Sequence, residues 1–474
     1  MEKEQIISGL RSIVGEEQVL TNESSLLEAA KDYIGFRRYE RCDGKYFVNR
    51  AACVVKAKST QQAADVMAFL HKNKVDVVPR TGGSCVTLGL EPVEGGVILD
   101  LSEMNRLLEF NPTDMLVRAE CGMPLEALEK QMNEKGYTTG HFPQSLPMAQ
   151  VGGLVSTRSI GQFSTLYGGI EDLVVGLEAI LPDGEIIRIK NVPRRSVGPD
   201  LRHIFIGGEG SFGVVTEVTL KLFPYTPETR WMGAYGVKGM QNGLDLIREI
   251  MVKGYKPAVV RLHDPQEVER LFGGICPEGY SLLLLLAEGP ASITKAIGEA
   301  VEEIVSKYEV IPMGRKPVEH WLIHRNDVCQ TLDSDERYRL HLVADTCEIS
   351  ANWSAIGKIY DAVVTRMPQE MENLAFIGGH SSHSYVQGTN IYFTFGFIAK
   401  DDVKTVREDY MKLVSVIMEE TLRFGGSIAH HHGSGKYRTQ WMPQEHGSSY
   451  RLMNIIKNAV DPEKIMNKGV LFVD

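Results

Sequence analysis

Three glycine clusters, each beside an apolar run of strand-like composition, constrain the fold of this chain more than any other feature. They read RTGGS at 80–84, QVGG at 150–153 and EGSFG at 209–213. Glycines next to strands mark places where a ligand or another backbone approaches closely, and successive backbone N–H groups in such loops bind anions. The first loop carries neither a Walker-type GKS or GKT sequence nor G-x-G-x-x-G. One cluster alone predicts a tight turn, whereas three in one region favour a nucleotide ligand.

Segments with strand and helix patterns alternate through two stretches of the chain. In the first stretch, Ser59 followed by Gln62 predicts a capped helix after a short strand. The pattern restarts after Pro224 and Pro227, and its last long helix is predicted at 402–421. We predict an α+β protein with a helical lead-in at 1–40, a first α+β domain at 41–224, a second, ferredoxin-like α+β domain at 225–445 and a C-terminal segment at 446–474 that returns to the first domain.

Composition excludes several classes of protein. The chain has 474 residues and a formal net charge of −10, which argues against non-specific binding of nucleic acid. The longest apolar run, 282–287, is far shorter than the ~20 residues that cross a bilayer, and the N-terminus has no apolar signal region. Seven scattered cysteines form no metal-like or CxxC spacing. These features predict a cytoplasmic protein with reduced thiols and no transmembrane segment.

Several motifs occur in the order found in flavoproteins of the vanillyl-alcohol-oxidase and p-cresol-methylhydroxylase family. They are PRTGGS at 79–84, VILDLSEMN at 97–105, PQSLPMAQVGG at 143–153, YGGIEDLVVGLEAILPDGE at 167–185, GPDLRHIFIGGEGSFGVVTEVTLKLFP at 198–224 and DPEKIMNKG at 461–469. The chain therefore resembles this family, which implies a two-subdomain FAD-binding domain at 41–224 followed by a substrate, or cap, domain. The resemblance implies FAD contacts from Pro79, Arg80, Thr81, Gly82, Gly83, Ser84, Cys85, His141, Pro143, Gln144, Ser145, Gly152, Gly153, Thr157, Arg158, Glu209, Gly210, Gly213, Val214 and Val215.

The second half resembles two branches of these flavoproteins. FAD-linked D-2-hydroxy-acid dehydrogenases carry HxGDGNxH and EHG, which can build a metal site beside the flavin. Here Tyr392 stands in place of the second histidine and His431 in place of the glutamate. Because one imidazole and the carboxylate are replaced, we predict that no metal is bound.

The stretch SIAHHHGSGKYRTQW at 427–441 resembles the triple-histidine signature of the alkyl-dihydroxyacetone-phosphate synthase branch, as do VVRLHD at 259–264 and SYVQGTNIYFTFGF at 384–397. The chain also resembles uncharacterised bacterial FAD-linked dehydrogenases along its full length. The resemblance implies catalytic roles for Tyr385, His430, His431 and His432, and substrate binding by Arg261 and Arg325. His380 and His383 lie just before Tyr385 in the sequence and are further substrate-binding candidates.

The residues support these roles without the family as well. Imidazoles titrate near neutral pH and suit proton transfer or anion binding, although adjacent histidines are also compatible with packing or with metal binding. If 430–432 is a strand, His430 and His432 point to one face and His431 to the other. Arg261 lies in a strand-like run, so it should face a cavity or pair with an acid.

Two enzymatic functions and one further function are compatible with these residues and resemblances. The first is FAD-dependent oxidation of a small hydroxylated, anionic substrate by hydride transfer to the flavin N5. The alternative is alkyl transfer through a flavin N5 adduct, as the synthase branch implies. The third is a flavoprotein that acts within a complex, with an electron-acceptor protein as partner. A homodimer is expected in each case.

Overall fold

The computed structural model describes residues 2–46, 48–332, 336–400 and 403–473. The first half holds a four-stranded sheet of order β1-β2-β4-β3 and a five-stranded antiparallel sheet of order β5-β6-β10-β8-β9. Its strands are β1 (Val19–Leu20), β2 (Cys53–Lys56), β3 (Val77–Arg80), β4 (Val97–Asp100), β5 (Leu107–Asn111), β6 (Leu116–Glu120), β7 (Tyr137–Thr138), β8 (Val174–Ile180), β9 (Ile186–Ile189), β10 (Val214–Lys221) and β11 (Phe223–Pro224). Its helices are α1 (Lys3–Val14), α2 (Glu23–Ala29), α3 (Gly35–Cys42), α4 (Thr60–Asn73), α5 (Leu125–Asn133), α6 (Val151–Ser156), α7 (Ser164–Tyr167), α8 (Ile170–Leu173) and α9 (Arg202–Phe205).

The second half is one antiparallel sheet of order β15-β12-β14-β13-β17-β18-β16, packed against helices. Its strands are β12 (Trp231–Lys238), β13 (Val259–His263), β14 (Tyr280–Ala287), β15 (Val310–Gly314), β16 (Leu342–Asn352), β17 (Leu374–Ser381) and β18 (Gly388–Ile398). The helices are α10 (Met240–Val252), α11 (Pro265–Phe272), α12 (Ala291–Val305), α13 (Lys316–His324), α14 (Val328–Thr331), α15 (Glu336–Arg339), α16 (Trp353–Glu370), α17 (Val403–Arg423), α18 (Met442–His446) and α19 (Tyr450–Val460).

Local sequence explains why these elements form where they do. Helix α4 begins after Ser59, whose hydroxyl accepts a hydrogen bond from the Gln62 amide, so the predicted cap is confirmed. Strand β14 is apolar from Leu282 to Ala287, and this part is buried on both faces between β12 and β13. The helix expected at 402–421 is observed from Val403, and Asp402 lies outside the described residues. The α+β fold class predicted from the sequence is confirmed.

The triple-histidine segment differs from its prediction. Residues 430–432 form an irregular bend rather than a strand, and the nearest strand-like pairing is the bridge between Ser427 and Ser350. The predicted alternation of the three side chains between two faces is therefore wrong. A buried carboxylate that accepts hydrogen bonds from all three backbone amides holds the bend, as described below.

The two halves meet where several loops and strand ends converge. The C-terminal segment reaches back to β3, where Val77 donates an amide hydrogen bond to Ile465 and accepts one from Asn467. The loop after β3, helix α6, the loop before β10, strands β13, β17 and β18 and the 430–432 bend all face one cavity. Among the described helices, none is both long enough and apolar enough to cross a membrane.

Candidate active site

A cavity of about 570 Å³ lies between the two halves. All the predicted cofactor residues except His141 and Arg158 line it. The predicted substrate residues Arg261, Arg325, His380 and His383 line it too, together with His431 and His432. Tyr385 and His430 lie behind the wall and are linked to it by hydrogen bonds. The structure therefore brings together residues from opposite ends of the chain.

The loop after β3 fits a diphosphate. A Cβ atom at Gly82 would lie 2.6 Å from the carbonyl oxygen of Met148, and Gly83 has a φ of +72°, so side chains are excluded at both positions. Within the described chain, the amides of Gly82, Gly83 and Ser84 have no hydrogen-bond acceptor. Adjacent amides without partners in a glycine loop are the donors that a pyrophosphate needs. These residues therefore fit the diphosphate of FAD.

His141 and Arg158 lie away from the cavity wall. The His141 ring is fully buried, and neither ring nitrogen has a partner among the described residues. Burial lowers the pKa of His141 to about 3, so the ring is neutral at physiological pH. Arg158 is about half exposed and pairs with Glu171 at 3.2 Å.

The carboxylate of Glu348 shapes the triple-histidine bend. Its Oε1 atom accepts hydrogen bonds from the backbone amides of His430, His431 and His432 at 3.0–3.3 Å. Arg438 donates to both carboxylate oxygens, at 3.0 and 2.7 Å, and both side chains are fully buried. Burial alone would raise the pKa of Glu348, but Arg438 and His432 hold it well below its usual range. A permanent carboxylate therefore fixes the backbone of the bend.

A chain of hydrogen bonds links Tyr385 to the cavity. The Tyr385 hydroxyl lies 2.8 Å from Nε2 of His430, and Nδ1 of His430 lies 2.7 Å from Nδ1 of His431. Nε2 of His431 contacts the hydroxyl of Tyr392, which lines the cavity. One proton lies between each pair of neighbours, so protons can move along the chain without any side chain moving far.

The chain continues to a carboxylate–imidazole pair. The Tyr392 hydroxyl lies 3.4 Å from Nε2 of His432, and Nδ1 of His432 lies 2.9 Å from Glu348. Since Glu348 is ionised and accepts only, Nδ1 of His432 carries the proton between the two groups. Burial lowers the pKa of His430 to about 4 and that of His431 well below its usual range. The two relay imidazoles are therefore neutral near pH 7 and able to accept a proton on one nitrogen while releasing one from the other.

Arg261 is held by two imidazoles rather than by a carboxylate. Its Nε donates to Nε2 of His263 at 2.9 Å, and its Nη2 lies 2.8 Å from Nε2 of His380. The Nδ1 atoms of both imidazoles lie 2.6–2.9 Å from the buried carboxylate of Glu267. In the described chain no residue accepts a hydrogen bond from Nη1 of Arg261. The guanidinium stacks on Trp321 at 5.6 Å and presents its remaining N–H groups to the cavity.

Arg325 is a second cation on the cavity wall. Its guanidinium lies over the rings of Phe142 and Phe163 at 5.6 and 5.4 Å and contacts Asn326 through Nε. Burial and the nearby Arg230 lower its pKa to about 10, so it stays charged at neutral pH. Arg261 and Arg325 belong to a cavity lining that holds six arginines and three acidic residues, an excess of positive charge that favours an anionic ligand.

Glu209 joins the third glycine cluster to the residues after the histidine bend. Its carboxylate accepts hydrogen bonds from the amides of Ser434 and Gly435 at 2.7 and 2.9 Å. Burial raises the pKa of Glu209 to about 7 in spite of these two donors. The glycine-cluster side of the cavity is thus tied directly to the histidine side.

Among the residues that the structure describes, two groups of side chains have metal-like proximity. His383, His430 and His431 form one, and His263, Glu267 and His380 form the other. In both groups most ring nitrogens already have hydrogen-bond partners. Nδ1 of His383, for example, lies 2.8 Å from the hydroxyl of Ser164. The observed contacts are those of hydrogen-bonded networks.

Sequence reasoning missed the roles of several residues that organise the site, namely Glu348, Glu267, His263, Tyr392 and Arg438. His263 lies within the motif at 259–264, but a lone glutamate in a strand, such as Glu348, has no local signal of its role. His263 and Glu267 are four residues apart across the start of α11, a spacing that brings side chains together in a helical turn. That spacing is the one signal that could have identified them.

Comparison with protein families matches two families to the chain. The FAD binding domain family matches residues 51–190, and the C-terminal domain family of FAD linked oxidases matches residues 226–471. The second match begins where the sequence pattern restarts after Pro224. Together the two matches cover both sides of the cavity.

Comparison with curated proteins finds relatives over almost the whole chain. The uncharacterized FAD-linked oxidoreductase YgcU of Escherichia coli (strain K12) is 43% identical over 479 residues, with 98% of each chain covered. The alkyldihydroxyacetonephosphate synthase of Caenorhabditis elegans is 30% identical over 445 residues, which cover 87% of this chain and 74% of the relative. The glycolate oxidase subunit GlcD of Bacillus subtilis is 23% identical, with 88% of each chain covered.

Solved structures share the fold. A crystal structure of alkyldihydroxyacetonephosphate synthase has a TM-score of 0.81 at 21% identity and covers 98% of this chain and 86% of its own. A structure of p-cresol methylhydroxylase with substrate bound has a TM-score of 0.78 at 14% identity and covers 99% of this chain and 97% of its own. At these identities the likeness establishes the architecture alone.

Proposed function

We propose the substrate class of this chain, which belongs to the family of FAD-linked oxidases and is an FAD-dependent oxidoreductase. The proposed substrate is small, hydroxylated and anionic, and the enzyme oxidises it. FAD is its cofactor, and the amides of Gly82, Gly83 and Ser84 would hold the diphosphate. When bound, FAD supplies the acceptor for a hydride from the substrate carbon. The roles of the individual residues below are part of this proposal.

One observation carries the proposal. A guanidinium with free N–H groups and a chain of proton-transferring groups lie on the same cavity wall, joined by the stacking of His380 on Tyr392. His380 holds Arg261, and Tyr392 contacts both His431 and His432. An anion bound at Arg261 would therefore place a neighbouring hydroxyl beside groups that can take its proton.

The chain's own residues divide the work. Arg261 and Arg325 bind and orient the anion by charge-assisted hydrogen bonds, which are stronger than neutral ones. Nε2 of His432 accepts the hydroxyl proton while Glu348 stabilises the resulting imidazolium. Tyr392, His431 and His430 pass the proton to Tyr385, which is partly exposed and releases its own hydroxyl proton to solvent. A positioned acid–base group of this kind contributes roughly 100- to 10,000-fold in rate.

The test is anaerobic mixing of the FAD-loaded enzyme with 2-hydroxy acids, sugar acids and glycerol phosphates. Loss of the oxidised flavin absorbance identifies a reducing substrate. For each acid that reacts, the corresponding primary amide serves as the matched neutral control. We expect reduction by an acid and much slower reduction by its amide. Equal rates for acid and amide, or reduction only by neutral alcohols, would overturn the anionic class.

A second candidate is synthesis of an alkyl-dihydroxyacetone phosphate, the activity that the name of the Caenorhabditis elegans relative states. One observation favours it. The lining of the cavity includes apolar side chains that could contact an alkyl chain, namely Leu271, Phe272, Val328, Leu332, Phe376 and Phe395. Formation of an ether product from acyl-dihydroxyacetone phosphate and a long-chain alcohol, with no net reduction of the flavin, would select this candidate over oxidation.

Partners and location are also proposed. A dehydrogenase needs a final acceptor, for which we propose an electron-acceptor protein, tested by turnover with and without candidate acceptors. Leu452 and Ile455 on α19 are 59% and 52% exposed and three residues apart, which supports the homodimer proposal. Its test is the mass of the purified protein in solution. Within the described residues, Cys53, Cys85, Cys121, Cys276, Cys329 and Cys347 form no disulfide, which supports the proposed cytoplasmic location.

A further inference from the structure

We propose that Glu267 is a positioning residue that fixes Arg261 for anion binding, acting through His263 and His380. The inference rests on the proposed function, in which Arg261 receives the anionic group of the substrate. No sequence motif assigns a role to Glu267. Its side chain is fully buried and contacts both imidazoles and the Thr394 hydroxyl.

Proton positions in this network follow from its two ends. A guanidinium has only donors, so Nε2 of His263 and Nε2 of His380 must both accept from Arg261. Each neutral imidazole then carries its proton on Nδ1 and donates it to Glu267. Burial and Arg261 lower the pKa of His380 to about 3, and burial also lowers the pKa of His263. The network therefore has one arrangement, with two neutral imidazoles between Arg261 and Glu267, and Nη2 of Arg270 lies 3.8 Å from Oε1 of Glu267.

Glu267 is ionised in this arrangement. Burial alone would raise the pKa of its carboxyl, but the contacts with His380 and His263 hold it well below its usual range. Thr394 donates a further hydrogen bond to Oε1 at 2.6 Å. The carboxylate thus has donors enough to stay charged without contacting Arg261 directly.

The spacing of charges explains why the device suits anion binding. A carboxylate in direct contact would occupy the guanidinium and neutralise it, whereas two imidazoles occupy only its Nε and one side of Nη2. The remaining N–H groups of Nη1 and Nη2 form an edge suited to a bidentate carboxylate or phosphate. The Arg261 side chain cannot rotate away, because both imidazoles are fixed from behind by Glu267. The free N–H edge of Arg261 is therefore in position before the anion arrives.

The substitution Glu267→Gln tests the device with almost no change in shape. Nδ1 of His263 and Nδ1 of His380 lie 2.6 and 2.9 Å from Oε2, so a glutamine carbonyl in that place accepts from both imidazoles, but through neutral hydrogen bonds that are weaker than charge-assisted ones. The two imidazoles, and through them Arg261, are then held less firmly. The loss of one negative charge would by itself favour an anion, so weaker anion binding reports the loss of positioning.

The experiment measures binding of oxalate to the FAD-loaded enzyme through the change in flavin absorbance. We expect Glu267→Gln to weaken oxalate binding by roughly 10- to 100-fold, the usual effect of losing a hydrogen bond to a charged group. Glu269→Gln, an exposed position on the same helix α11, is the matched control and should bind oxalate as wild type does. In an Arg261→Lys background Glu267→Gln should have little further effect, because coupled residues are not additive.

Each outcome decides a separate claim. Wild-type-like oxalate binding by Glu267→Gln, or full additivity with Arg261→Lys, would overturn the inference and leave the anionic substrate class intact. Failure of the wild-type enzyme to bind oxalate, inorganic phosphate or any anionic substrate would overturn the proposed function and the inference together.

A measurement on the wild-type enzyme covers the case in which the variant does not fold. Nitrogen NMR of histidine-labelled holoenzyme reports which ring nitrogen carries the proton. We expect both His263 and His380 to be protonated at Nδ1 only. Protonation of either ring at Nε2 would overturn the network as described.

Discussion

The imidazole of His380 stacks on the phenol ring of Tyr392, with ring centroids 4.7 Å apart and planes inclined by 18°. His380 belongs to the network that holds Arg261, and Tyr392 belongs to the hydrogen-bonded chain of histidines. His380 contacts Arg261 and Glu267 through its ring nitrogens, and Tyr392 contacts the histidines through its hydroxyl, so one face of each ring is left for the stack. The stack therefore sets the distance between the proposed anion receptor and the proposed proton relay.

The relay predicts that Tyr385→Phe slows flavin reduction without loss of FAD or of fold. The change removes only the hydroxyl that contacts Nε2 of His430 at 2.8 Å. We expect reduction by the true substrate to slow by roughly 100- to 10,000-fold, the usual contribution of an acid–base group. Stopped-flow absorbance of the flavin under anaerobic conditions measures it.

Tyr392→Phe is the comparison variant for the same prediction. It keeps the ring that stacks on His380 but removes the hydroxyl between His431 and His432, so it should slow the same step. If Tyr385→Phe reduces the flavin at the wild-type rate and Tyr392→Phe reduces it slowly, proton transfer involves only the groups on the cavity wall. Two variants that both reduce the flavin at the wild-type rate would contradict the relay.

The structure also supports the prediction that catalysis needs no metal. The closest three-histidine group is His383, His430 and His431, yet His430 and His431 bind each other and two tyrosine hydroxyls. A metal would have to break these hydrogen bonds, and no carboxylate joins that group. We expect unchanged activity after treatment with a chelator and no stoichiometric zinc or manganese by elemental analysis. One metal per chain, lost together with activity, would be the opposite result.

Much of the cofactor side could be predicted because its signals are local. Each glycine cluster lies within a few residues, and a close backbone approach such as that of Gly82 to Met148 restricts the residue type at one position. The positions of the long strands also followed from their apolar patterns, as in β14. Local pattern and tertiary structure agree there because burial determines both.

The histidine side of the cavity could be predicted only in part. Three adjacent histidines indicate chemistry, but their directions depend on Glu348, which lies about eighty residues earlier on β16. The bend forms because one carboxylate accepts hydrogen bonds from three backbone amides. The periodicity of the local sequence carries no information about that contact. Tyr392 was noted as the replacement for a metal ligand, whereas its contact with His431 gives it a place in the relay.

The glycine loop after β3 predicts a specific loss of FAD. At Gly83 the φ of +72° disfavours any side chain, and a tryptophan there would also cover the neighbouring amides. We expect purified Gly83→Trp to lack FAD while wild type releases FAD on acid precipitation. Gly95→Trp is the matched control, because Gly95 has a φ of +77° with no atom within 4 Å of its Cβ position. A yellow Gly83→Trp protein with full FAD content would contradict this role of the loop.

Glu209 predicts a pH dependence of stability with a defined sign. Burial raises its pKa from 4.5 to about 7, so between these values the folded protein holds a proton that the unfolded chain has released. Its contribution to stability is present at low pH and is lost as pH rises toward 7, at about 1.4 kcal/mol per pH unit. Glu209→Gln cannot ionise and does not suffer this loss. The melting temperatures of Glu209→Gln and of wild type are measured with excess FAD. The difference, variant minus wild type, should rise from pH 5 to 7 and level off above pH 7. Glu185→Gln, at an exposed position, is the control, and the same slope in both variants would show that the Glu209 carboxyl does not titrate in this range.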